Sequence, residues 1–304
     1  MENTMTLHEP SCWTDDLLRS PRSTGTHSDD GFMGFTHSMS AIAVSLALIA
    51  FAPTFVYSVF GVDDTWMLVM FTLVSAGYAL VPDFDNVRAK AISAFGVLGG
   101  AMSTFFRGSS LFVQTMIRKK GDDADPDPHR GFWHTALAAI LTGIFVLGLT
   151  KIGGSLTLPI LGEHSYGTLV GILFAFFGIH LMFEGVLKST VDKIKKQAGP
   201  LGTIAALVLS IATTEVLFVN MPTIDMQWLG IAIAYGMIVH VIGDCFTSAG
   251  APLLFPIPGI FKHKLWWKSR IPPGFAAGGT IENAIVIPLL FIMSFISLFV
   301  ILTG

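Results

Sequence analysis

Apolar runs recur along this chain at Ser38–Phe60, Trp66–Val81, a stretch after His134 that ends near Thr150, Tyr166–Leu187, Leu201–Val219, Trp228–Phe246 and Asn283–Leu302. A helix of about 20 mostly apolar residues crosses a bilayer, and within hydrocarbon it satisfies every backbone N–H and C=O inside its own segment. These runs point to an all-α polytopic membrane protein with about seven transmembrane helices. Charged residues make up only 13% of the chain, about half the roughly 25% of soluble domains. The two cysteines, Cys12 and Cys245, imply no disulfide framework.

Polar punctuation divides the runs. Residues 1–30 are Ser/Thr-rich without an apolar h-region, which predicts a disordered cytoplasmic tail and no signal peptide. Residues 31–304 then form one membrane-embedded domain. Pro53 is expected as a tolerated kink, Gly61–Asp64 as a turn, and Pro82 as the end of the second span. Residues 91–117 are apolar in tone but carry Gly96, Gly99, Gly100, Gly108 and an interior Arg107. They read as an interfacial or re-entrant helix.

The basic residues test that reading. With the N-terminus in the cytoplasm and 91–117 not crossing, all but Lys151 of the 18 Lys and Arg residues fall inside, as the positive-inside rule requires. The C-terminus is then outside. A crossing at 91–117 would move most basic loops to the outer face.

On this topology the unusual polar residues gather on one side. His37 marks the inner end of the first span, Asp83 and Asp85 that of the second, and His129 and His134 that of the third. His240 and Asp244, four apart and so on one helical face, lie near the inner end of the sixth; Gly250, Pro252 and Pro256 stop that helix. Glu282 opens the last. An ionisable pair inside a membrane helix is a functional site by default. Imidazole selects zinc, iron, nickel or copper, and carboxylates suit harder ions such as manganese and magnesium. His37, Asp83, Asp85, His129, His134, His240 and Asp244 are the candidate ligands for one or two divalent ions, zinc foremost, with manganese, iron or magnesium as alternatives. Two such ions clamp the attacking and leaving oxygens of a phosphoester displacement. Arg130 is the candidate holder of a phosphate oxygen and Glu282 the candidate general base.

The ordered motifs Thr36-His37-Ser38, Val81-Pro82-Asp83-Phe84-Asp85, His129-Arg130-Gly131-Phe132-Trp133-His134-Thr135 and His240-x3-Asp244-x2-Thr247-x2-Gly250 carry a resemblance. Together with Arg270 through Glu282, they resemble the bacterial inner-membrane metal-dependent hydrolase family. That family includes LexA-regulated membrane proteins and is distantly similar to zinc-dependent phospholipase C. The resemblance covers residues 31–304 and implies a hydrolase of the cytoplasmic (inner) membrane. Asn86 stands where the family has His, and Trp133 where it has a small hydroxyl residue. The expected substrate is a lipid or lipid-linked phosphoester; no nucleic-acid partner is expected, and the oligomeric state stays open.

Plainer readings stand beside these. Asp83 and Asp85 after Pro82 also suit a cap-and-turn pair, and His134 a helix start. His180 and Glu184 suit a helix-packing hydrogen bond better than support for the ligands. Asp122, Asp123, Asp125 and Asp127 read as a solvated loop. Lys262, Lys264, Lys268 and Arg270 with Trp266 and Trp267 read as interface anchors, or as a seat for an anionic lipid head group. A divalent-metal transporter or metal sensor is the competing function.

Overall fold

The computed structural model describes residues 34–60, 64–86, 92, 95–120, 122, 129–154, 165–186, 200–220, 226–257, 264–272 and 274–303. The tail of residues 1–30, the basic loop carrying Lys188 to Lys196, and Asp123, Asp125, Asp127 and Lys262 lie outside the described residues. The long helices are α1 (Gly34–Phe51), α2 (Thr65–Tyr78), α3 (Gly96–Met116), α4 (Ala136–Gly154), α5 (Tyr166–Val186), α6 (Pro200–Val219), α7 (Gln227–Cys245) and α8 (Ile287–Thr303). Among the described residues six segments are long and apolar enough to span a membrane: Gly34–Phe51, Thr65–Asp85, Ala136–Gly154, Tyr166–Val186, Trp228–Cys245 and Glu282–Thr303. The apolar stretch Leu207–Val219 of α6 adds a shorter one. The protein is a multi-pass, all-helical membrane protein.

Pro53 does more than kink the first run. α1 ends at Phe51, and the chain continues as a short turn, Pro53–Phe55, and a π-helical turn, Val56–Phe60. Proline has no N–H to continue the ladder, so the helix stops ahead of it. Asp64 starts α2 cleanly: its carboxylate accepts from the Trp66 and Met67 amides at 2.7 and 3.3 Å.

α2 is the central helix, packed on α1, α5 and α7, while α8 lies along α1. The share of residues buried within the spans follows suit, 78% for the α2 span against 6% for the α8 span. Lipid tails give no hydrophobic drive between helices, so close backbone approach and interhelical hydrogen bonds do the work. At Gly77 a Cβ would lie 1.7 Å from the Gly178 carbonyl oxygen, and at Gly143 2.5 Å from that of Gly230. These glycines let α2 meet α5, and α4 meet α7, backbone to backbone. Ser75 donates to the Ala232 carbonyl at 3.1 Å and Ser38 to that of Ala76 at 3.0 Å.

Asp83, just past α2, and His134, just ahead of α4, are 3.6 Å apart. The end of α2 and the start of α4 therefore share one end of the bundle, and the chain between them, α3 included, leaves that end and comes back to it. α3 is the non-crossing helix that the glycines and Arg107 predict. Its outward residues Val97, Leu98, Phe105, Phe112 and Met116 are exposed, whereas Ser103, Ser110 and Gln114 are buried. That is the reverse of a helix on a soluble core and suits one bedded in lipid. The buried face grips the loop before α4. The Ser110 hydroxyl accepts from the Phe132 amide at 3.0 Å, and the Trp133 indole donates to the Phe106 carbonyl at 3.0 Å. Gly131 is pressed onto this face, where a Cβ would lie 1.8 Å from the Gln114 amide nitrogen.

Candidate metal centre

Four chain segments deliver the site. α1 brings His37 in its first turn. The 3-10 turn Pro82–Asp85 that ends the α2 span brings Asp83 and Asp85; a second such turn, Phe132–His134, follows His129 and Arg130; and the last turns of α7 bring His240 and Asp244. Pro82 opens the first 3-10 turn and Gly131 stands just ahead of the second, and both turns are short, as such helices usually are.

The tightest convergence involves four atoms. His134 Nε2 lies 3.4 Å from Asp244 Oδ2 and 3.6 Å from Asp83 Oδ1; His240 Nε2 lies 3.5 Å from Asp244 Oδ2 and 3.7 Å from Asp83 Oδ1. Ligand atoms held about 2.0 Å from a tetrahedral ion are about 3.3 Å apart. Every imidazole–carboxylate separation here is close to that figure. The side chains of His134, His240 and Asp244 are at most 1% exposed. His134 Nε2, His240 Nε2 and Asp244 Oδ2 have no hydrogen-bond partner among the described residues. Buried polar atoms left this way cost free energy unless something else satisfies them. A divalent cation does so for all of them, and the mixed imidazole–carboxylate donor set fits one.

Neighbouring contacts fix the ring orientations. His240 Nδ1 donates to the Ala79 carbonyl oxygen at 2.7 Å, which leaves Nε2 as the lone-pair atom facing the cluster. His134 Nδ1 faces Asp85 Oδ2 at 3.3 Å, and the other oxygen of Asp85 is 2.9 Å from His129 Nδ1. Asp85 thus lies behind the two imidazoles and belongs to none of the ligand groups that the geometry forms. A candidate ligand from the sequence, Asp85 faces the Nδ1 atoms of both rings, the side on which carboxylates support histidines that bind metal. Burial by itself lowers the His134 pKa, but the carboxylates of Asp85, Asp83 and Asp244 outweigh it and raise it to about 10.

Two further histidines flank the four atoms. His37 stacks on His240 with ring centroids 3.7 Å apart, lies 3.7 Å from Asp244 Oδ1, and groups with Asp83 and His240. His129 meets His134 edge to face and groups with it and Asp83. Asp83 and His129, at 17% and 22% side-chain exposure, are the members that reach the surface. The cluster opens on their side.

Arg130 and Glu282 take places that spacing does not foretell. The Arg130 guanidinium is buried and turned inward, donating to Asp244 Oδ1 at 3.2 Å, to the Thr247 hydroxyl at 2.9 Å and to the Gly250 carbonyl at 3.2 Å. Its backbone is left-handed, φ 59°, a conformation that costs free energy in a non-glycine residue and persists where surrounding contacts enforce it. Glu282 is fully buried, with Oε1 accepting from the Thr36 hydroxyl at 2.5 Å and Oε2 from the Gly278 amide at 2.6 Å. It stands outside the ligand groups and tethers the start of the last span to the residue before His37.

Away from the cluster, His180 Nδ1 is 3.0 Å from the Ser210 hydroxyl, a buried contact between α5 and α6, as a packing role predicts. Asp122 is not simply a solvated residue. Its carboxylate accepts from the amides of Lys119 at 2.8 Å, Leu265 at 2.8 Å and Trp266 at 3.2 Å. Nothing in the sequence pairs Asp122 with residues so far along the chain.

The profile of the YdjM inner membrane protein family matches residues 32–303. The chain belongs to that family. No curated protein and no solved structure matches it.

Proposed function

We propose that this YdjM-family inner-membrane protein is a metal-dependent hydrolase that cleaves a phosphoester in a lipid or lipid-linked substrate at the cytoplasmic membrane face. The observation that carries the reading is the convergence of His134, His240, Asp83 and Asp244 at 3.4–3.7 Å at one end of a helical bundle. Those four side chains would hold the ion, with His37 beside them. A bound divalent ion supplies a Lewis acid and makes water acidic enough to act as a nucleophile near neutral pH.

The chain's own residues divide the remaining tasks. Asp85 holds His134 by its Nδ1 and keeps Nε2 on the cluster. His129, held by the other oxygen of Asp85 at 2.9 Å and partly exposed, takes the proton from the attacking water. Arg130 balances the charge of Asp244 from behind. Glu282 serves as the anchor of α1 and not as the base, because its two oxygens already accept hydrogen bonds. The start of α1, the end of α2, the start of α4 and the end of α7 all meet at this end, which also carries Arg118, Lys119 and Lys120 beyond α3. The positive-inside rule makes it the cytoplasmic end.

A transporter keeps its ionisable residues near the bilayer midplane on broken helices. Here they sit at the helix ends, which favours hydrolysis over transport. The test is metal analysis of the purified protein together with a panel of phospholipids and soluble phosphoesters. Stoichiometric metal and turnover that fails in Asp83→Ala support the hydrolase. Stoichiometric metal without turnover, together with metal uptake into proteoliposomes, would instead establish transport.

A further inference from the structure

A second polar feature lies at the same end, outside the metal cluster. The segment after α7 folds back beneath that helix. The Ile271 amide donates to the Cys245 carbonyl at 2.7 Å, the Phe275 amide to that of Phe246 at 3.1 Å, and Ser269 and Ala251 exchange two backbone bonds at 2.8 and 3.2 Å. The first two bonds satisfy carbonyls that a helix end leaves open, and together the four hold Ser269, Ile271 and Phe275 in place. Asp122 clamps the adjoining chain from the other side through the Leu265 and Trp266 amides. Trp266 stacks on Phe255, ring centroids 4.2 Å apart and planes 11° from parallel.

Between these fixed walls is a cavity of about 370 Å³ lined by Asp122, Lys264, Trp266, Trp267, Lys268 and Arg270. Small-ligand pockets run from about 300 to 1,000 Å³, so a phosphate with its glycerol fits. Among the described lining residues three basic side chains stand with one carboxylate, Asp122, which accepts from three backbone amides. Arg270 makes no ion pair among the described residues, and its stem packs over Gly250, where a Cβ would lie 2.7 Å from Arg270 Cγ. Basic anchors scattered along an interface need no walls; these share a cavity whose sides are hydrogen-bonded in place.

We propose that this cavity seats the phosphate of an anionic phospholipid head group, with Lys264, Lys268 and Arg270 as its partners and Trp267 at head-group level. Guanidinium and ammonium groups pair with phosphate oxygens, tryptophan favours the bilayer interface, and the cytoplasmic leaflet supplies the anionic lipid. The site stands whether or not the metal cluster hydrolyses anything.

The test uses the full-length protein, delipidated in neutral detergent. Native mass spectrometry reads retention of phosphatidylglycerol against phosphatidylcholine, with glycerol 1-phosphate and inorganic phosphate as soluble competitors. The wild type should retain one phosphatidylglycerol with a preference of about tenfold or more over phosphatidylcholine. The triple variant Lys264→Gln, Lys268→Gln, Arg270→Gln should lose that preference, and Lys264→Arg with Lys268→Arg should keep it. Metal content of the same preparations should be unchanged, which separates this outcome from failure of the hydrolase reading. If the triple variant does not fold, the exposed single variant Arg270→Gln replaces it, with a smaller loss expected. An unaltered preference in the charge-removed protein would overturn the proposal. So would equal retention of phosphatidylcholine, or displacement of the lipid by equimolar glycerol 1-phosphate or inorganic phosphate, which would assign the cavity to a soluble phosphate compound.

Discussion

His240 Nδ1 and the carbonyl oxygen of Ala79 are 2.7 Å apart, so α7 and the end of α2 are joined by the proton that decides which nitrogen of His240 faces the cluster. His240→Asn keeps a donor near the Nδ1 position but has no counterpart of Nε2. It should fold and insert while losing metal affinity by on the order of 100-fold, at least the loss that outer partners of a metal site cause. His240→Ala should lose stability as well. Metal content and thermal midpoint measured on one preparation separate the two variants; full metal in His240→Asn would remove His240 from the ligand set.

Asp244 answers to two partners, the ion and Arg130. Asp244→Asn should lose metal and also strand a buried guanidinium, a destabilisation of about 3–5 kcal/mol by the cost of breaking a buried ion pair. Adding Arg130→Gln should return part of that stability without returning metal. Thermal or denaturant unfolding of the four proteins in the cycle checks it; simple additivity would show that the 3.2 Å contact carries no energy.

The His134 pKa, raised from 6.5 to about 10 by the surrounding carboxylates, gives the metal-free protein a pH signature. A group whose pKa is raised on folding contributes stability that is fully present below the unfolded value and is lost as pH rises through the folded value. The chelator-treated protein should therefore lose stability between pH 6.5 and about 10. A divalent ion must displace the same proton, so its apparent affinity should rise by up to about tenfold per pH unit below that value. Calorimetry in buffers of different ionisation enthalpy should show proton release on metal binding.

His129→Gln separates a proton acceptor from a ligand. If His129 takes a proton, the variant should keep stoichiometric metal and lose about 10²–10⁴ in turnover, the usual worth of general acid–base catalysis. Loss of metal would move His129 into the ligand set.

Topology is open to labelling. In a variant lacking Cys12 and Cys245, single cysteines at Lys119 and Thr303, both exposed, should react from opposite sides of the membrane, Lys119 from the cytoplasm. Reaction of both from one side would mean that an odd number of crossings between them is wrong.

Much of the fold is legible in the residues alone. Apolar runs and basic loops are counted one residue at a time, and the bilayer enforces both. Parity alone makes the Gly96–Met116 helix non-crossing, and the 3.6 Å approach of His134 to Asp83 agrees. That ionisable side chains gather at one end of the bundle is legible for a similar reason: at the ends of apolar helices they are costly to place. What each member does is another matter. Asp83 and Asp85 are two residues apart in one turn, yet one faces the cluster and the other the back of two imidazoles, a difference of side-chain direction that spacing does not encode. Arg130 reads as the holder of a phosphate oxygen, yet its guanidinium donates to Asp244, from a residue with left-handed backbone. The Thr36–Glu282 and Asp122–Leu265 contacts join residues far apart in the chain, and no local signal announces them.

The helix Gly96–Met116 has a mechanical consequence. The loop bearing His129, Arg130 and His134 is held by Ser110 and Phe106 on one side of that helix, while Val97, Phe105, Phe112 and Met116 are exposed on the other. Because Ser110 and Phe106 hold Phe132 and Trp133 directly, any displacement of this helix is carried to the loop, and with it to His134.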